Sequence, residues 1–135
     1  PLLPSEIFRV REGFMNPKIL LIDDDPLVLK SFSNLLTREG YGVIPVSSYD
    51  EALTAFESKD FDLILSDIRV PGKNGVETVS EIQQRLIEKG KKDLPIIFVT
   101  GYAEMGDKLN ANFHGEVLNK PIDNELLLAT IRDYL

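Results

Sequence analysis

The sequence has no cysteine, a single histidine and no apolar run longer than a typical strand. Without cysteine the protein cannot form disulfides, thiolate metal sites or a cysteine nucleophile. Because it also lacks a secretory or membrane-spanning stretch, we expect a cytoplasmic protein that makes no membrane contact. The one histidine, His114, has no metal-binding or phosphotransfer partner close to it in the sequence, so we interpret it as a loop residue.

Basic side chains are also scarce, since 15 Lys and Arg residues stand against 22 Asp and Glu residues, for a formal net charge of -7. This balance argues against nucleic acid as a direct partner, because the phosphate backbone attracts basic surfaces. Part of the acidic excess is local, because Asp23, Asp24 and Asp25 are adjacent. If these three side chains lie in one site, a cation has to neutralise them.

What the chain does have is enough apolar material, 43% of 135 residues, to bury the core of one domain. Five apolar runs of strand length alternate with stretches of helical spacing. The predicted strands are residues 18–22, 41–46, 61–66, 95–99 and 115–119. The predicted helices are residues 26–39, one opened by Ser48, one spanning 76–86, a weak one over 102–112 and one that follows Asp123. The alternation predicts a doubly wound α/β domain, in which helices cover both faces of a parallel sheet.

Individual residues support two of these elements, the first helix and the second strand. Asp25 and Pro26 are typical of the N-cap and first position of a helix, and Val28 and Phe32 continue it with an apolar stripe. Pro45 cannot donate a hydrogen bond to a strand ladder, so the second strand is predicted at an edge of the sheet.

The first 17 residues show no clean periodicity. We interpret residues 1–17 as a linker, or as residues left from cloning or from a preceding domain ahead of a start at Met15. The domain is predicted to span residues 18–135.

Polar side chains follow four of the five predicted strands. They are Asp23, Asp24 and Asp25 after the first, Asp67 after the third, Thr100 after the fourth and Lys120 after the fifth. The carboxyl ends of parallel strands open on one edge, so these side chains are expected to lie together. Clustered carboxylates bind hard cations, and Mg²⁺ held by one or two of them keeps positions for a phosphoryl oxygen. A lysine and a hydroxyl complete a phosphate site.

These motifs resemble the receiver domain of two-component response regulators. The matching stretches are Ile22-Asp23-Asp24-Asp25-Pro26, then Asp67-Ile68-Arg69-Val70-Pro71 with Gly75, then Val99-Thr100-Gly101, then Lys120-Pro121. Each stretch alone is a weak signal, but together and in this order over residues 18–135 they are highly specific. The resemblance implies a flavodoxin-like (βα)5 sandwich, whose five-stranded parallel sheet has the order 2-1-3-4-5.

The resemblance also implies a role for each site residue. Asp67 is similar to the phosphoacceptor, and Thr100 and Lys120 are similar to the residues that contact the phosphoryl group. The implied Mg²⁺ ligands are Asp24, Asp67, the backbone carbonyl of Arg69 and, through water, Asp23. Asp25 is implied to be peripheral, and the Lys120–Pro121 peptide bond to be cis. The implied phosphodonor is a histidine kinase or a histidine phosphotransfer protein, and the implied output acts through an effector domain or a homodimer. Such a domain is not an enzyme beyond its own phosphorylation and autodephosphorylation.

The chain departs from the family at the place where signalling aromatics usually lie. Val117 stands three residues before Lys120, where the family usually has an aromatic residue, and the segment between Thr100 and Lys120 is short for the family. Gly101 is followed by Tyr102, an arrangement similar to receiver domains of hybrid sensor kinases.

Three other functions each match part of the sequence. A haloacid-dehalogenase-type magnesium phosphohydrolase is suggested by Asp23-x-Asp25, but Leu27 stands where that family has Thr or Val. A receiver-like interaction module without phosphate turnover would not need the acids, the threonine and the lysine together. A flavin-binding electron carrier of the same fold would need a Ser/Thr/Gly-rich phosphate loop where this chain has Asp24 and Asp25.

Overall fold

The computed structural model describes residues 16–70, 73–90, 94–101 and 115–135. In chain order the elements are β1 (Lys18–Ile22), α1 (Pro26–Arg38), β2 (Gly42–Val46), α2 (Tyr49–Ser58), β3 (Leu63–Ser66), β4 (Arg69–Val70), β5 (Lys73–Asn74), α3 (Gly75–Glu88), β6 (Ile96–Thr100), β7 (Glu116–Asn119) and α4 (Asn124–Tyr134). The weak helix predicted over 102–112, His114 and residues 1–15 lie outside the described residues.

Five of the strands form one parallel sheet in the order β2-β1-β3-β6-β7. This confirms the predicted 2-1-3-4-5 order. All residues of β3 and β6 are buried, as are four of the five in β1, because these strands have neighbours on both sides and helices on both faces. The outer strands β2 and β7 are mostly half-buried or exposed.

Two apolar clusters cover the two faces of the sheet. On one face α2 and α3 contribute Phe56, Val79 and Ile82 to a buried cluster. On the other face α1 and α4 contribute Leu36 and Ile131 to a second cluster. The predicted covering of both faces by helices is therefore confirmed. Among the described residues, no helix combines the length and the apolar character that a membrane crossing needs.

Pro45 lies in β2, at the edge of the sheet as its missing N–H predicted. The carbonyl of Val46 accepts from Asp23 N–H at 3.1 Å, and the N–H of Gly42 donates to Pro17 O at 2.9 Å. The backbone N–H and C=O groups of the even-numbered residues of β2 therefore face β1. Because these directions alternate along a strand, the backbone nitrogen of Pro45 faces away from β1. The missing donor falls on the open edge, where it breaks no bond of the sheet.

Two short strands, β4 and β5, follow β3. Arg69–Val70 pairs antiparallel with Lys73–Asn74, and α3 follows directly. This short hairpin holds the chain close to the carboxyl end of β3, where Asp67 lies.

Candidate functional site at the carboxyl edge of the sheet

The backbone continues the sheet by one residue beyond β1 and β3, and this holds two acids side by side. Asp67 N–H donates to Ile22 O at 2.8 Å, next to the point where Asp23 N–H donates to Val46 O. On the other side of the site, Lys120 N–H donates to Thr100 O at 2.9 Å. The positions of Asp23, Asp67 and Lys120 thus follow from strand pairing.

The side chains meet at the edge that the sequence predicted. Lys120 Nζ lies 3.1 Å from Asp23 Oδ2 and 3.2 Å from Asp67 Oδ2. A cavity of about 640 Å³ opens there, and its lining includes Asp24, Thr100 and both of these acids. We call Asp23, Asp24, Asp67, Thr100 and Lys120 the acid pocket. The Lys120–Pro121 peptide bond beside it is cis, as the resemblance implies.

Asp23 is the buried carboxylate of the acid pocket, with 3% of its surface exposed. Its Oδ1 accepts from Asp25 N–H at 2.9 Å, while its Oδ2 accepts from Lys120. Burial raises the pKa of Asp23 above its ordinary value, and the bonds from Asp25 N–H and Lys120 offset only part of that rise. The site therefore holds a carboxylate whose charge the protein alone does not fully compensate.

The pKa of Lys120 is also raised, but in Lys120 this favours the charged form. Burial lowers the pKa of Lys120, but the hydrogen bond to Asp23 and the charge of Asp67 outweigh burial, so the net shift is upward. Its ammonium stays charged and sits between two carboxylates. It is a positive point charge beside Asp67.

Three carboxylates of the acid pocket suit a metal ion. Single oxygens of Asp23, Asp24 and Asp67 lie within 4.8 Å of one another, and the three residues are buried, exposed and half-buried, respectively. The all-oxygen donor set is the kind that Mg²⁺ prefers, and the residues fit the ion.

Asp25 has a different task from its two neighbours. Its Oδ1 accepts from Leu27 N–H at 2.9 Å and caps α1, and its side chain is exposed. The haloacid-dehalogenase reading needs Asp25 as an acid facing Asp23, so the cap argues against it. Asp25 also lines the cavity, so its peripheral role, which the resemblance implies, stays a prediction.

Two residues were not recognised from the sequence as neighbours of the site. Ser66, buried at the end of β3, donates its hydroxyl to the carbonyl of Asp67 at 2.7 Å. Val28 lines the cavity, although its helical spacing predicted a core position. The signal for Val28 was its place in the first turn of α1, which begins at the same edge as the acids.

Val117, which replaces the usual aromatic, is partly buried and packs against the cluster under α2 and α3.

Comparison with known proteins shows the family of this chain. The model of the response regulator receiver domain matches residues 19–132. The chain belongs to the response regulator receiver domain family. It is 34% identical over 119 residues to the transcriptional regulatory protein GlrR of Escherichia coli strain K12, which covers 87% of this chain and 26% of GlrR. It is 30% identical to the polar-differentiation response regulator DivK of Brucella ovis, covering 90% of this chain and 98% of DivK.

A solved structure supports the fold of this receiver domain. The response regulator receiver domain protein (CheY-like) from Methanospirillum hungatei JF-1 superposes with a TM-score of 0.78 at 30% identity, over 88% of this chain and 93% of that one. The chain spans about a quarter of the length of GlrR and nearly all of DivK. Receiver domains thus occur in proteins of very different length.

Proposed function

We propose that this receiver domain takes a phosphoryl group onto Asp67 from the phosphohistidine of a histidine kinase or histidine phosphotransfer protein, in a Mg²⁺-dependent reaction. The change in charge then shifts its conformation and regulates an output. The observation that carries the proposal is the position of Lys120, whose ammonium is 3.2 Å from Asp67 Oδ2 and 3.1 Å from Asp23 Oδ2. These side chains line one cavity together with Thr100 and Asp24, and the cavity has room for a phosphoryl group.

In the proposed transfer, a carboxylate oxygen of Asp67 forms the new P–O bond. The P–N bond of the donor breaks, and its electron pair remains on the imidazole nitrogen. Lys120 and Thr100 would hold the phosphoryl oxygens as charge develops on them. Because Lys120 already lies at Asp67, little reorganisation is needed at the moment of transfer.

Mg²⁺ would be held by Asp24 and Asp67, with Asp23 reaching it through water and the carbonyl of Arg69 as a further ligand. The bound ion would supply positive charge to the phosphoryl oxygens. Asp23 serves this arrangement by staying close to Lys120 and by keeping its second oxygen tied to Asp25 N–H. Hydrolysis of the acyl phosphate by a water in line with the P–O bond would then restore the Asp67 carboxylate.

The output is proposed to act through an effector domain or a homodimer. GlrR is named a transcriptional regulatory protein, and the region matched by this chain is 26% of it. By this likeness the response would be read by another domain or protein, and the net charge of -7 argues against nucleic acid as a direct partner of this domain. A cytoplasmic location follows from the same proposal, because histidine kinases present their phosphohistidine there.

The test is phosphorylation with acetyl phosphate and Mg²⁺, read by intact mass and by the hydroxylamine sensitivity of the label. We expect one phosphoryl group on the wild-type protein and none on Asp67→Asn. Asp62→Asn at the opposite edge of the sheet is the matched control and should be labelled like the wild type. Label that persists in Asp67→Asn would contradict the proposed phosphoacceptor.

A further inference from the structure

We propose that Val28 shields the acid pocket from water and so sets how long the phosphoryl group remains on Asp67. The inference rests on the proposed function, since it concerns the stability of the phosphorylated state. It assigns Val28 a positioning role and no chemical step of its own.

The lining of the cavity makes Val28 exceptional. Among the described residues that form it, the others are four aspartates, Thr100, Lys120, Gly101 and Pro121. Among these residues Val28 is therefore the one branched aliphatic side chain, and Pro121 is the one other apolar side chain. It is half-buried, so it contacts both the cavity and the solvent that reaches the cavity.

The fold explains why a residue of the apolar stripe lies here. Further along α1, Leu29, Phe32 and Leu36 pack into the cluster shared with α4. Val28 lies in the first turn of α1 and belongs to neither core cluster among the described residues, whereas the next residue, Leu29, packs against one. That turn begins only four residues after the end of β1, so the stripe starts over the carboxyl edge of the sheet.

An apolar side chain at this place has a chemical consequence. Hydrolysis of an acyl phosphate needs a water molecule in line with the P–O bond, and an apolar side chain in the cavity wall lowers the occupancy of water beside it. Valine suits such a wall because its β-branched side chain has one strongly preferred rotamer in a helix, so it holds its position. A hydroxyl of the same size could instead hold a water by a hydrogen bond.

The experiment measures the first-order loss of the phosphoryl group after acetyl phosphate is removed, with Mg²⁺ present. We expect severalfold faster loss in Val28→Ala and in the isosteric Val28→Thr, with Mg²⁺ affinity unchanged, because Val28 is not a ligand. Leu27→Ala is the matched control, since Leu27 lies in the same turn but is 75% exposed and does not line the cavity. Its rate should equal that of the wild type.

Equal rates of loss in the wild type and in both Val28 variants would overturn the inference and leave the proposed function standing. A change of the same size in Leu27→Ala would also overturn it, because the effect would then belong to the helix and not to the cavity wall. If the wild type takes no label on Asp67, it is the proposed function that fails. Thermal midpoints identify a variant that does not fold, and Val28→Thr, which keeps the volume, then carries the test.

Discussion

The two edges of the sheet differ in the arrangement of their charges more than in the size of their cavities. The amino edge has the larger cavity, about 850 Å³ against about 640 Å³ at the carboxyl edge. Acids and bases are balanced around the larger one, whose charged lining residues are Lys18, Lys59, Lys89, Glu57, Asp60 and Asp62. At the carboxyl edge the cavity lining has four aspartates and a single ammonium, that of Lys120. Excess charge of one sign, and not volume, marks the candidate site.

The charged residues of the two edges also differ in burial. The charged residues of the amino edge are all exposed, so their charges cost little and contribute little to stability. At the carboxyl edge Asp23 is buried and ionisation is penalised. A fold gains nothing from such an arrangement, whereas a site that recruits a cation and a phosphoryl group requires it.

The largest effect that tests this contrast is predicted for the backbone. At the amino edge, a Cβ added to Gly115 would overlap the carbonyl oxygen of Ile96. At the carboxyl edge, a Cβ on Gly101 would meet Lys120 Cβ at 3.6 Å, an ordinary contact. We expect Gly115→Ala to lower the free energy of unfolding by about 2–3 kcal/mol, because the strand must shift, and Gly101→Ala by less than about 0.5 kcal/mol.

Urea denaturation of both variants measures this difference. Equal losses in Gly115→Ala and Gly101→Ala would mean that the carboxyl edge is packed as closely as the amino edge. The open space assigned to the acid pocket would then be wrong.

Much of the site could be predicted because strand ends are visible in the sequence. Apolar runs located Ile22, Ser66 and Thr100, and parallel pairing then placed Asp23, Asp67 and Lys120 on one edge. The sequence could not assign Val28, since the helical period places it in a stripe but does not say where the sheet beneath that stripe ends. Nor does apolar patterning predict the β4–β5 hairpin, whose two-residue strands are too short to show a period.

The middle-sized effect concerns the metal. If the acid pocket binds Mg²⁺, the ion at ten times its dissociation constant should raise the free energy of unfolding by about 1.4 kcal/mol. Asp24→Asn should lose most of this gain, whereas Asp25→Asn should keep it, because asparagine also caps a helix well and Asp25 already serves as the cap.

Thermal unfolding with and without Mg²⁺ checks this, with Asp60→Asn as a variant from the amino edge that should respond like the wild type. Equal loss of the Mg²⁺ response in Asp24→Asn and Asp25→Asn would show that the two acids have been assigned wrongly. A lost response in Asp60→Asn would remove the distinction between the edges.

The smallest predicted effect concerns the free energy of unfolding, which a change from Asp to Asn should lower at the amino edge and raise at the carboxyl edge. Asp62 at the amino edge accepts from Lys18 N–H at 2.7 Å and is exposed, so Asp62→Asn weakens a charge-assisted bond and should lower the free energy of unfolding slightly. Asp23→Asn, measured with EDTA, should raise it at neutral pH, because it removes a buried charge while its amide oxygen can still accept from Asp25 N–H.

The pH dependence of this pair follows from the raised pKa of Asp23. Between the ordinary value of 3.8 and the raised value, the folded protein binds more protons than the unfolded chain, so stability falls as the pH rises through that window. The wild type therefore bears the whole penalty above the window and none below 3.8. The advantage of Asp23→Asn should accordingly be full at neutral pH and vanish as the pH drops below 3.8, which urea denaturation across that range can measure. A variant that is less stable than the wild type at neutral pH would mean that the attraction of Lys120 for Asp23 exceeds the cost of burial. The acid pocket would then be stabilised by its own ion pairs, and the cost of burial that sets it apart from the amino edge would disappear.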